Sequence, residues 1–164
     1  HMYYQDQLVL TGAINDVGEY TRVNVPRSYR LGLELEGRWQ GRPGLDVQGG
    51  FTLSRNKLLD YTRFVDTYDL DFNYTGQERV EQGRVDMAFS PALVGNIQIA
   101  YDFLHRSEKG HSFQMALMHK YVGLQYLDNT ADGQAKLDPY FYGDLRLSYA
   151  LPLPGVRRIE ATLL

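Results

Sequence analysis

The chain has 164 residues, a formal net charge of −3 and no cysteine. That length suffices for one domain with a sizeable core, and the missing cysteine excludes disulfide staples and thiolate metal sites. The basic residues are scattered rather than clustered, so nucleic-acid binding has no electrostatic support. No run of about 18 apolar residues occurs, which excludes a transmembrane helix but not a β-barrel, whose strands hide their hydrophobicity in alternation.

Thirteen tyrosines and sixteen glycines suit strands and tight turns better than helices. The pair His1-Met2 reads as a cloning remnant, leaving residues 3–164 as one domain of about seven strands. The first strand is expected over residues 3–14, with Leu8 and Leu10 on one face. Residues 15–27 are polar, carry Gly18 and Pro26, and read as a loop. Residues 28–40 form the second strand. Leu31, Leu33, Leu35 and Trp39 share one of its faces and Arg30, Glu34, Glu36 and Arg38 the other, because successive side chains in a pleat point to opposite sides. Gly41-Arg42-Pro43-Gly44 is a tight turn, and residues 45–54 alternate again.

Residues 55–83 are long, acidic and aromatic, and read as a loop with room for a hairpin extension. Residues 84–103 return as a very long strand. Its apolar parity (Val85, Met87, Phe89, then Ile97, Ile99, Tyr101, Phe103) survives Ser90-Pro91, which favours one disturbed strand over two. A short polar turn at 105–111 precedes a strand over 112–125. A loop over 126–137, a strand over 140–151, a turn over 152–156 and a last strand from 158 complete the chain.

Long and short connections therefore alternate, and several strands reach roughly 10 to 14 residues against a mode of about 5–6 in soluble sheets. Outer-membrane barrels combine long extracellular loops with short periplasmic turns. The pattern favours an all-β, antiparallel up-and-down meander forming part of a transmembrane barrel. The alternative is a soluble β-barrel or β-sandwich binding module for a small ligand.

Four stretches carry a family resemblance. His119-Lys120-Tyr121-Val122-Gly123-Leu124-Gln125-Tyr126-Leu127-Asp128-Asn129-Thr130 resembles the late-barrel signature of TonB-dependent outer-membrane receptors, a strand ending in a Tyr-Val-Gly-x-x-Tyr-x-Asp-Asn type motif. The segment with Asp144-Leu145-Arg146-Leu147 at its core resembles the following strand. Residues 30–37 resemble an Arg-Gly-Leu-Glu-Leu-Glu-Gly type strand, with Leu31 set between the arginine and the glycine. Phe89-Ser90-Pro91 followed by Asn96 fits a further family pattern. The resemblance implies part of a barrel of about 22 strands, lacking the plug domain and the last strand. It also implies a Gram-negative outer-membrane location and import of a scarce solute such as a ferric siderophore. The energy would come from the TonB–ExbB–ExbD system, acting through the missing plug.

In that frame the odd-numbered apolar residues from Leu31 to Leu163 face lipid. Glu34, Glu36, Arg38, Gln48, Asp86, Gln98, Asp144, Arg146 and Glu160 face the lumen, either contacting the plug or neutralising one another in hydrated pairs. Trp39, Tyr101, Phe103 and Tyr149 fall near the short-turn ends of their strands, and Tyr121 and Phe141 near the long-loop ends, as interfacial girdles require. The alternative is core packing in a soluble barrel.

The longest loop gathers Tyr61, Asp66, Tyr68, Asp69, Asp71 and Tyr74, which the resemblance makes candidate contacts for the solute. Its oxygens lack the spacing of an EF-hand, and a solvated surface is the plainer reading. The four histidines show no metal-ligand spacing, no nucleophile or phosphate-loop motif occurs, and neither a cofactor nor an enzymatic activity is expected. Open strand edges would let the piece self-associate.

Overall fold

The computed structural model describes residues 2–14, 18–130, 132–153 and 156–163. Among them every regular element is a strand: β1 (Met2–Ile14), β2 (Tyr20–Arg42), β3 (Leu45–Tyr68), β4 (Tyr74–Asp86), β5 (Leu93–Asp102), β6 (Ser112–Val122), β7 (Gln125–Tyr126), β8 (Lys136–Leu137), β9 (Tyr140–Leu153) and β10 (Val156–Leu163). The main sheet runs β1-β2-β3-β5-β6-β9-β10, with β4 also paired to β3, and β7 and β8 make a separate small ladder. The antiparallel meander is therefore as expected, but several boundaries move. Residues 20–27, expected as loop, belong to β2, while 15–17 lie outside the described residues. Most of the expected loop over 55–83 is a continuous hairpin of β3 and β4, turning only at 69–73. Met2 begins β1, opposite Arg30.

The hairpin escapes a period-two reading because bulges interrupt it. Leu58 pairs with Val85 and Tyr61 with Gly83, so β3 holds one extra residue there; Thr62 then pairs with Glu81, so β4 holds one in turn. The backbone turns left-handed at Asp60 (φ 58°) and at Gly83 (φ 71°), as bulges often require. The extra residue lets Leu58 and Tyr61, three apart, both be buried. The long strand over 84–103 also divides: Met87 N–H still donates to the Asn56 carbonyl (3.2 Å) and the Ala92 carbonyl still accepts from Ser54 N–H (2.8 Å), but the residues between them leave the regular ladder. Pro91 has no N–H to donate, and Phe89 sits at φ 51°.

The chain forms two compact units. The first comprises residues 1–33, 53–92 and 123–138. Its core is the cluster Val9, Val25, Leu58, Tyr61, Val85 and Met87. Buried Ser28 donates to Gln7 Oε1 (2.5 Å), which satisfies a hydroxyl that would otherwise be costly to bury. The gap at 87–92 is held by the loop after β6: Ala88 N–H donates to Asn129 Oδ1 (2.8 Å) and Phe89 N–H to the Tyr126 carbonyl (2.9 Å).

The second unit comprises residues 34–52, 93–122 and 139–164. Here β5, β6 and β9 pair without a shift, so rows of side chains cross the sheet. Ile99, Leu117 and Leu145 form one row, and Gln98, Met118 and Asp144 the row behind it on the opposite face. Among the described residues, the buried apolar ones of this unit are Ala100, Ala116, Val122 and Ala150. Several of its large apolar side chains are instead exposed: Leu35 49 %, Ile99 42 %, Leu117 41 % and Leu145 47 %.

Candidate functional site

In the second unit the polar face carries an open concavity of 590 Å³, lined in part by Glu36, Arg38, Gln98, Lys120, Tyr142 and Asp144. The even parity of these positions places them together, and the aligned rows Asn96–Lys120–Tyr142 and Gln98–Met118–Asp144 form its floor. Arg38 Nε donates to both carboxylate oxygens of Asp46 (2.9 and 3.1 Å) and Arg38 Nη2 to Oδ2, and Gln40 Nε2 adds a third donor at 3.1 Å. Arg38 thus serves a mutual pair at the edge of the concavity. Of the other residues expected on this face, Gln48 joins the lining. Arg146 lies opposite Ala116, and Glu34 is exposed. Asp86 belongs to the first unit, where it pairs with Lys57 at 2.6 Å. The side chain of Glu160 lies outside the described residues. Lys120 and Tyr142 line the concavity as well, on the same even parity, but an uncharged ring and a lysine within a motif carry no sequence signal that marks them as lining residues.

The opposite face carries the rings. Tyr101 meets Phe103 edge-on (centroids 4.9 Å apart), and Phe103 meets Phe113 at 5.7 Å. His111 Nδ1 lies 2.8 Å from the Tyr149 hydroxyl. Towards the other strand ends His119 stacks on Phe141 at 5.0 Å, above Gly143, where any Cβ would collide with the imidazole.

The six candidate solute contacts do not form one cluster. Asp66, Tyr68, Asp69, Asp71 and Tyr74 fall on the β3–β4 hairpin or its turn, with the Tyr68 and Tyr74 rings 6.1 Å apart, edge to face. Tyr61 lies further down β3, 1 % exposed within the core of the first unit. Asp66 accepts from Gln77 Nε2 (2.8 Å). Asp69 organises the turn by accepting from the backbone N–H groups of Asn73 (2.8 Å) and Asp71 (2.9 Å). The Asn73 backbone donor first, its side chain next and Asp71 after them hold the Asp69 carboxyl below the usual aspartate range, against the opposing effect of burial. Leu70 and Phe72 are left 99 % and 87 % exposed at the tip. Among the described residues no three His, Cys, Asp or Glu side chains converge to hold a metal.

The family model described as TonB dependent receptor-like, beta-barrel matches residues 1–163. No curated protein and no solved structure matches the chain.

Proposed function

We propose a function on one premise: the chain belongs to the TonB-dependent receptor β-barrel family, a family of transporters in the outer membrane of Gram-negative bacteria. In this reading the chain is a length of barrel wall. Its odd-numbered face in the second unit meets lipid, and Glu34, Glu36, Arg38, Asp144 and Arg146 line a hydrated lumen. The imported solute is a scarce ferric chelate of the siderophore class. Asp66, Tyr68, Asp69, Asp71 and Tyr74 contact it from the hairpin, while Tyr61 supports the hairpin from within. The TonB–ExbB–ExbD system drives the import through a plug.

The observation that carries this reading is the distribution of apolar area in the second unit. Leu35, Ile99, Leu117 and Leu145 of the outward rows are more than two-fifths exposed, whereas among the described residues of this unit the buried apolar ones are three alanines and one valine. A soluble sandwich places its large apolar side chains between the sheets. A lipid-facing wall does the reverse and keeps its polar side chains in the lumen.

The chain refolded from denaturant should stay monodisperse in detergent and aggregate when the detergent is removed. A monodisperse monomer in plain buffer would remove the membrane reading and leave the soluble binding module. Among the described residues the outer edges of β1 and β10 have no strand partner in the sheet order, so copies should also pair edge to edge in detergent. Light scattering giving a monomer at every concentration rejects that pairing. Addition of a ferric chelate should quench tyrosine emission in the wild type and less so in Tyr68→Ala/Tyr74→Ala. Equal quenching in both would assign the solute contacts elsewhere.

A further inference from the structure

The short connections carry a charge pattern that transport does not use. Arg42 ends β2, Arg106 and Lys109 stand in the connection from β5 to β6, and in the sequence Arg157 and Arg158 follow the third short connection. The long connections are acidic instead, with Asp69 and Asp71 in one and Asp128, Asp132 and Asp138 in another.

Within the second unit two of these turns are adjacent. Asp102 N–H donates to the Gly44 carbonyl (2.8 Å), and a Cβ on Gly44 would lie 2.7 Å from His105 Nδ1. The nearby carboxylates are already engaged. Asp102 accepts from Leu104 N–H (2.9 Å), Phe113 N–H (3.1 Å) and the Ser112 hydroxyl (2.9 Å), and Asp46 is held by Arg38 and Gln40. Arg42, Arg106 and Lys109 are exposed, and no ion pair among the described residues involves them. The remaining acid in these two turns is Glu108.

The aromatic row of Tyr101, Phe103, Phe113 and Tyr149 lies next to these cations. His105 packs against Tyr101 (6.0 Å) and His111 against Tyr149 (6.1 Å). Rings seated at an interface put the adjacent turn at the depth of the headgroups. Unpaired cations at that depth meet phosphate.

We propose that Arg42, Arg106 and Lys109 form a rim that binds the phosphates of anionic phospholipids in the leaflet facing the short turns. The proposal rests on the membrane reading above. It adds a lipid preference that the apolar face alone does not confer.

The test uses the full chain refolded in detergent and transferred to vesicles of phosphatidylcholine, or of phosphatidylcholine mixed with phosphatidylglycerol, at low salt. Emission of Trp39, the single tryptophan, reports insertion. The wild type should partition more strongly into the anionic vesicles, and Arg42→Gln/Arg106→Gln/Lys109→Gln should lose that preference, at about fivefold per cation removed. The charge-conserving variant Arg42→Lys/Arg106→Lys/Lys109→Arg should keep it. A wild type without preference, or a neutralised variant that retains it, overturns the rim. In the first case the turn cations would be left for an acidic protein partner. Partition into neither vesicle overturns the membrane reading itself, and insertion into phosphatidylcholine by the wild type separates the two failures.

Discussion

Phe113 lies directly across from Tyr149 on the β6–β9 ladder, and eight residues further along each strand Tyr121 lies directly across from Phe141. Eight residues of strand span about 27 Å. At a tilt of about 40° the two ring rows stand roughly 21 Å apart along the membrane normal, close to the apolar band of about 25 Å in outer-membrane barrels. Leu117 faces Leu145 halfway between the rows. Leu145→Arg should therefore destabilise the lipid-inserted protein by about 2–4 kcal/mol. The same charge introduced as Gln98→Arg, on the polar face, should cost less than about 1 kcal/mol. Urea titration of the protein in vesicles measures both, and equal costs would mean that the two faces see the same medium.

The contrast between the two units explains what could be read from the chain alone. In the second unit β5, β6 and β9 keep one parity from end to end, so the positions of Ile97, Leu117 and Leu145, and of Gln98 and Asp144, follow from counting by twos. In the first unit the bulges at Asp60 and Gln82 each reverse the parity. Charged residues such as Lys57 and Arg63 then fall within the strand, and a paired hairpin looks like a loop. The same reversals hide Tyr61: its place in a core, rather than beside Tyr68 and Tyr74, depends on one added residue in β3.

Asn129 joins two motifs that look unrelated in the sequence. Its side chain accepts from Ala88 N–H within the irregular stretch between β4 and β5, and it is itself buried. Asn129→Ala leaves that N–H without its acceptor, a loss of about 1–3 kcal/mol for a buried group. The expected result is faster amide hydrogen exchange at Ala88 and Phe89, with exchange along β6 and β9 unchanged. Uniform acceleration throughout the protein would make Asn129 a general stability residue rather than a local tie.

His119 occupies the space that a side chain at Gly143 would fill, since the two residues are direct partners across β6 and β9. Gly143→Ala must push the imidazole off its stack on Phe141, or shift the strand where the Met118 carbonyl lies 3.1 Å from the added carbon. Overpacking of this kind costs typically 1–3 kcal/mol. His119→Ala should relieve most of it, so the double variant should be more stable than the sum of the single effects. Strict additivity in a denaturation cycle would show that the carbonyl, not the ring, sets the cost.

The turn at 69–73 should be acid-sensitive. Asp69 is held in its charged form by N–H donors of Asn73 and Asp71, which place its folded-state pKa below the unfolded value. A lowered carboxylate pKa contributes order that is fully present above the unfolded value, about 3.9, and is lost as pH falls through the folded-state value. The hairpin tip should thus keep its structure from neutral pH down to about 4 and loosen below it. Amide shifts of Asn73 and Asp71 should follow the titration of Asp69. Asp69→Asn, which cannot change charge, should remove the pH dependence. Wild-type shifts that stay flat below pH 4, or Asp69→Asn shifts that still titrate, would show that the Asp69 carboxylate does not hold the turn.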